Sequence, residues 1–157
     1  MSDFEDIVRR VRPLRTIWLA AIVGMVFFTI VAMYLIRSGT VRPVGLPYGI
    51  AVYTGMALAA GLFIAPFVRR RIEKTPSFAT HSEVARRWQT GWLVGQAIKE
   101  GVGLAGLVLG LLIGATTWAL AFGVASALSM LMTPPWEMQL NDRLRGARPD
   151  SGEAQPG

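Results

Sequence analysis

The apolar positions of this chain fall in long blocks, and the charged positions cluster between them. Residues 16–36 form an uncharged run of 21, close to the roughly 20 residues that cross about 30 Å of hydrocarbon as a helix. The run lacks a small-residue cleavage site and is longer than a signal-peptide core, which predicts a retained first span. Residues 44–68 predict a second span, with a kink or an early end at Pro66. Residues 101–136 carry no charge and would extend about 54 Å as one helix, so they must turn. The expected turn is Gly114-Ala115-Thr116-Thr117, between a third span over about residues 93–113 and a short fourth over about 117–133 that Pro134-Pro135 stops. The fold class that follows is all-α: a polytopic membrane protein with a four-helix transmembrane domain over residues 16–136.

The flanking segments read differently. In residues 1–15, Ser2-Asp3-Phe4-Glu5 fits a capping box, and Phe4, Ile7, Val8 and Val11 share one helical face. This predicts an amphipathic cytoplasmic helix on the inner leaflet, ending at Pro13. Thr80-His81-Ser82-Glu83 is a second capping box, so the third helix starts near His81 and enters the membrane around Leu93. His81 belongs to that capped start rather than to a ligand set. Residues 137–157 are polar and without periodicity, which predicts a disordered cytoplasmic tail.

Charge placement sets the expected orientation. Four arginines precede the first span, six Lys or Arg residues lie between the second and third, and three lie in the tail. The first outer loop has only Arg37 and Arg42, and the last has none, which predicts both termini inside. Trp18, Trp88, Trp92 and Trp136 then fall at inner ends, and Tyr34, Tyr48 and Trp118 at outer ends, as interfacial belts require.

Composition narrows the chemistry. At 52% hydrophobic residues and a mean hydropathy of +0.43, the chain is too apolar for an ordinary soluble domain. Its net charge of +6 sits beside the apolar blocks, where anionic lipids explain it better than nucleic acid, since no reader motif accompanies it. There is no cysteine and one histidine, which excludes disulfides, thiolate metal sites and paired haem ligands. No cofactor or metal is expected. Ser126 and Ser129 have no membrane histidine as a base, so an enzyme is not expected either.

The third helix carries the most information. Gly95, Lys99, Gly103, Gly106 and Gly110 lie on one narrow face, with Gln96 and Gly114 at its margin. Leu93, Leu104, Val108, Leu111 and Leu112 occupy the opposite side. Helix four offers Ala119, Gly123 and Ala127 at four-residue spacing, which predicts a tight hairpin of helices three and four. Ala57, Gly61 and Ala65 repeat the spacing in span two.

Lys99 and Glu100 are the only charges between Trp88 and Trp136, and ionisable groups in a span are costly enough to need a reason. About 100° of helix rotation separates them, so they need separate reasons. Lys99 is expected to snorkel to the inner headgroups. Glu100, roughly 9 Å inside the boundary, is the candidate ion- or proton-binding carboxyl, with Gln96 one turn earlier as its hydrogen-bond partner and Lys99 tuning its charge.

The run Glu100-Gly101-Val102-Gly103-Leu104-Ala105-Gly106-Leu107-Val108 resembles the second helix of the proteolipid c-subunits of rotary ATP synthases, and residues 44–114 are similar to their hairpin. That resemblance implies an ion-binding carboxylate at Glu100. Lys99 beside the carboxylate and two further helices depart from the family pattern. Small four-helix multidrug transporters carry their glutamate in helix one, and residues 16–36 hold no carboxylate. The whole chain looks like a small bacterial-type four-helix protein of the inner or plasma membrane. The leading expectation is a non-enzymatic packing or accessory protein, as a homo-oligomer or in a larger membrane complex. The alternative is a small proton- or cation-coupled carrier or channel using Glu100.

Overall fold

The computed structural model describes residues 3–74, 79–135 and 137–145, and every element among them is helical. In order these are α1 (Asp3–Arg37), α2 (Tyr48–Glu73), α3 (His81–Ile113), α4 (Thr116–Leu131) and α5 (Glu137–Leu144). Three of them, over Val11–Arg37, Tyr48–Glu73 and His81–Ile113, are long and apolar enough to cross a membrane. At 16 residues, α4 is equally apolar but only about 24 Å long.

The helix ends show why the elements sit where they do. Thr80 takes the N-cap of α3 and its hydroxyl accepts the Glu83 N–H at 3.4 Å. The return arm of the expected capping box is replaced by an ion pair, since Glu83 Oε1 lies 2.7 Å from Arg87. At the other end of α3, Gly114 adopts φ +68° and Ala115 N–H bonds to Gly110 O at 3.0 Å. A left-handed glycine just past the last helical residue is the usual way to close a helix with backbone alone.

Proline positions depart from expectation. α1 continues through Pro13 instead of ending there. The ring removes one N–H bond, but Val11 and Leu14 on either side are buried and hold the helix on course. The Ser2 capping box and the side-chain face of residues 4–8 lie outside what the structure describes. α2 starts later than expected, at Tyr48 behind an N-cap at Pro47, and runs past Pro66 to Glu73. The tail expected to be disordered forms α5 over residues 137–144, whose Leu140 and Leu144 are buried. Two apolar faces meeting α1 and α3 give this short helix the packing that its own length cannot supply.

α3 is the hub of the bundle. It packs on α2 along one side and on α4 and α1 along the other, whereas α1 and α2, neighbours in sequence, do not touch among the described residues. The connection 38–47 crosses the end of α3 to reach α2. Val44 N–H bonds to Leu112 O at 2.8 Å, and a Cβ on Gly114 would stand 2.6 Å from Pro43.

Glycines of α3 form notches, but their partners are larger than the expected small residues. Gly103 faces Ser126 and Met25, Gly106 receives the Phe122 ring, and Gly110 lies against the Ala119 backbone. Gly95 meets the side chain of Arg69 on α2 instead of α4. Gly123, expected to line the hairpin, faces Thr29 of α1. On α2 the buried small residues are Ala51, Gly55 and Ala65, while Ala57 is exposed and Gly61 is half-buried under Val102.

Two apolar cores result. One joins α1, α3 and α4 through Met25, Ala32, Leu107, Ala119, Ala127 and Met130. The other lies at the arginine-rich end, where Val11, Leu14, Trp88, Trp92, Leu140 and Leu144 join the starts of α1 and α3 to α5. Trp88 and Trp92 are therefore core residues, not the interfacial belt that their position suggested. Of the opposite face of α3, Leu93, Leu104, Val108 and Leu112 are exposed and Leu111 is packed inward.

Candidate functional site

One side of the last turn of α4, at Met130, faces into the bundle, and that fact organises the polar residues around it. The final carbonyls of a helix have no intrahelical donors, and in an apolar surrounding each one left unpaired is costly. Here Met132 N–H, Thr133 N–H and the Thr133 hydroxyl supply local donors, and neighbouring helices add others. Trp18 of α1 donates its Nε1–H to Met130 O at 2.9 Å, and Trp92 of α3 donates to Thr133 O at 3.1 Å. Lys99 donates from Nζ to Ser129 O at 2.7 Å and to Thr133 Oγ1 at 2.6 Å.

Lys99 thus does something other than the expected snorkelling. Side chains on a helix lean toward its N-terminus, which carries the ammonium toward the arginine-rich end. Only 5% of Lys99 is exposed, because α4 stops short and its C-terminus intercepts the charge. The negative end of the α4 dipole is a favourable place for a cation. A second bond locks the pair of helices, since Ser126 Oγ donates to Lys99 O at 2.6 Å.

Gln96 and Lys99 come together at Thr133. Gln96 Nε2 lies 3.4 Å from Thr133 O and 3.3 Å from Thr133 Oγ1, with 6% of the residue exposed. The expected Gln96–Glu100 bond is not formed. Glu100 is rotated away, half-buried between exposed Ala97 and Leu104, and makes no hydrogen bond or ion pair among the described residues. The sequence therefore grouped three residues that the fold separates two to one.

One residue that the sequence reading passed over is central. Glu73 is 3% exposed and both carboxylate oxygens are held, Oε1 by Arg69 Nε at 2.6 Å and Oε2 by Arg143 Nη2 at 2.6 Å. Arg143 also donates to Glu73 O at 3.4 Å, and Arg69 Nη2 to Gln139 Oε1 at 3.4 Å. This fastens α5 to the end of α2. The signal was available: Glu73 is the only carboxylate within the basic run from Arg69 to Lys74, four residues after Arg69.

Between these groups lies an open cavity of about 250 Å³, bounded by α2, α3, the end of α4 and α5. Lys99, Gln96 and Thr133 line it together with Arg69, Arg70, Arg143 and Glu73. Among the described residues, four cations and one carboxylate line it and make it positive. No three metal-ligating side chains meet anywhere among the described residues. The arrangement can hold and neutralise negative charge. Compared with known protein families, with curated proteins and with solved structures, the chain matches none.

Proposed function

We propose that the protein is a non-enzymatic, integral membrane accessory protein that crosses the inner or plasma membrane four times with both termini inside. The observation that carries this reading is the belt of large apolar residues left exposed around the bundle. Phe27, Ile30, Phe63, Phe67, Val108 and Leu128 are each more than half exposed, an arrangement that water penalises and hydrocarbon does not. The polar chemistry within the bundle is taken up by joining helices: the carbonyls of α4, the Ser126 hydroxyl and the Glu73 ion pairs. Arginines crowd the end that this reading places inside, as the positive-inside rule asks.

The cysteine-free sequence makes topology directly testable. Single cysteines at Ser38 and Ser82 should react with an impermeant thiol reagent from opposite sides, Ser38 from outside. Labelling of both from one side would overturn the four-span arrangement. Recovery of monomer alone after crosslinking in native membranes would count against the accessory role.

A second reading, an ion- or proton-coupled carrier using Glu100, is favoured by one observation: this carboxylate has no partner within the described bundle and borders an exposed face. On this reading a neighbouring subunit completes it. Proton and cation flux in liposomes should then fall with Glu100→Gln; unchanged flux and no reaction with a carboxyl-modifying reagent would end this reading.

A further inference from the structure

We infer that the basic cavity at the arginine-rich end is a binding site for a phosphate-bearing anion, and that its natural occupant is the headgroup of an anionic phospholipid. The inference rests on the membrane reading above, because it takes that end to lie at the inner headgroup layer. Three observations converge on it.

The first is uncompensated charge in an open space. Arg69 and Arg143 share Glu73, and Lys99 is turned onto α4, but Arg70 lines the cavity, is exposed and makes no hydrogen bond or ion pair among the described residues. Lys99 has three N–H donors and uses two on Ser129 O and Thr133 Oγ1. Among the described residues the cavity therefore keeps donors and positive charge in excess of its one carboxylate. Guanidinium groups suit phosphate oxygens, which they can meet with paired N–H bonds.

Depth is the second. The cavity floor is level with the last turn of α4, where the apolar belt gives way to the arginines of α2. Basic recesses between spans on the inner side are places where anionic headgroups lodge.

The third separates a lipid from a free anion. Pro66 lines the cavity, and Phe63, one turn deeper on the same face of α2, is 75% exposed. Phe67 beside it is 69% exposed. An occupant with its phosphate at Arg70 would have acyl chains lying along these rings, whereas inorganic phosphate would leave them unused.

The test uses the full chain in detergent micelles, with bound lipid read by native mass spectrometry. Dioleoylphosphatidylglycerol should be retained about tenfold better than dioleoylphosphatidylcholine, and Arg70→Gln should cut that retention about fivefold, the worth of one cation beside an anionic lipid. Arg71→Gln, also exposed but outside the cavity, should not change it, and Arg70→Lys should restore most of it. Displacement of the lipid by millimolar inorganic phosphate would reassign the site to a free phosphate; failure to displace it supports the lipid. Equal retention of the two lipids with no binding of inorganic phosphate, or equal effects of the Arg70 and Arg71 variants, would overturn the site. Alkaline carbonate extraction separates this from failure of the membrane reading: a chain that stays in the pellet but shows no lipid preference loses only the cavity assignment.

Discussion

The two ends of α4 are closed by different means. At its start the chain turns on backbone alone: Gly114 takes the left-handed conformation, Ala115 N–H returns to Gly110 O, and no side chain caps the new helix. At its finish the local bonds from Met132 and Thr133 are supplemented by side chains from two other helices, Trp18 of α1 and Lys99 of α3, with Trp92 and Gln96 of α3 closing on Thr133 just beyond. The first closure is rigid and local. The second depends on three helices being in place, and beside it the bundle opens into a charged cavity. One short helix thus has a tight end and an end that borders an open cavity.

The difference is sharpest at Gly110. A Cβ there would stand 2.8 Å from Ala119 N and 3.0 Å from Ala119 Cα, atoms of a backbone that cannot rotate away. Gly110→Val should cost more than about 3 kcal/mol, beyond the usual range for overpacking because both partners are helix backbone. Unfolding by titration with sodium dodecyl sulfate would measure it. A loss below 1 kcal/mol would mean that the tight end is looser than its geometry.

At the open end the largest effect should come from Glu73→Gln. Two guanidinium groups lose a shared carboxylate, and breaking a buried pair on one side typically costs 3–5 kcal/mol. Arg143 is 40% exposed at its side chain, so water offsets part of the loss and about 2 kcal/mol is expected. The damage should also be local: α5 should lose hydrogen-exchange protection while α2 and α3 keep theirs. Global unfolding in one step would show that the two ends are not separate.

The contrast also explains what the sequence could reveal. The Gly114 turn, the Thr80 cap and the start of α3 were legible because each is written within four residues. Proline was over-read at Pro13, where a single lost N–H bond is outweighed by the buried Val11 and Leu14 on either side, and of the two outcomes expected at Pro66 the early end does not occur. The glycine face of α3 was found, but its partners were misassigned. Periodicity says that a face is smooth and does not say whether Phe122, Ser126 or Arg69 fills it. The cavity was not legible at all, since it joins residues from 65 to 143 across three helices and a segment expected to be without structure. Lys99 was recognised as costly, yet its acceptor is a carbonyl, a group that every residue carries and no sequence pattern marks.

Lys99→Met keeps the apolar stem and removes the ammonium. Ser129 O would lose its interhelical donor, and Thr133 Oγ1 would lose one of its partners. Hydrogen bonds between membrane helices average about 0.6 kcal/mol and reach about 1.7, so a loss of about 1–2 kcal/mol is expected from two bonds to a charged donor. The same titration checks it. The loss should grow by the full cost of Ser126→Ala alone if the two contacts act independently, and a clearly less than additive loss would show that the α3–α4 seam closes as one unit.

The smallest effect should come from the adjacent residue. Glu100→Gln replaces a carboxylate that has no partner within the described bundle, so nothing in the fold is left unsatisfied by the change. Stability should move by less than about 0.5 kcal/mol, as for substitutions away from packing and hydrogen-bond networks. The pair Lys99→Met and Glu100→Gln is therefore an internal control, two neighbouring charges with unequal consequences. A loss above 1 kcal/mol for Glu100→Gln in the monomer would place a partner for the carboxylate inside this chain. If the loss appears only where subunits associate and vanishes on dilution in detergent, Glu100 pairs with a second polypeptide, and the second reading of function gains the interface it requires.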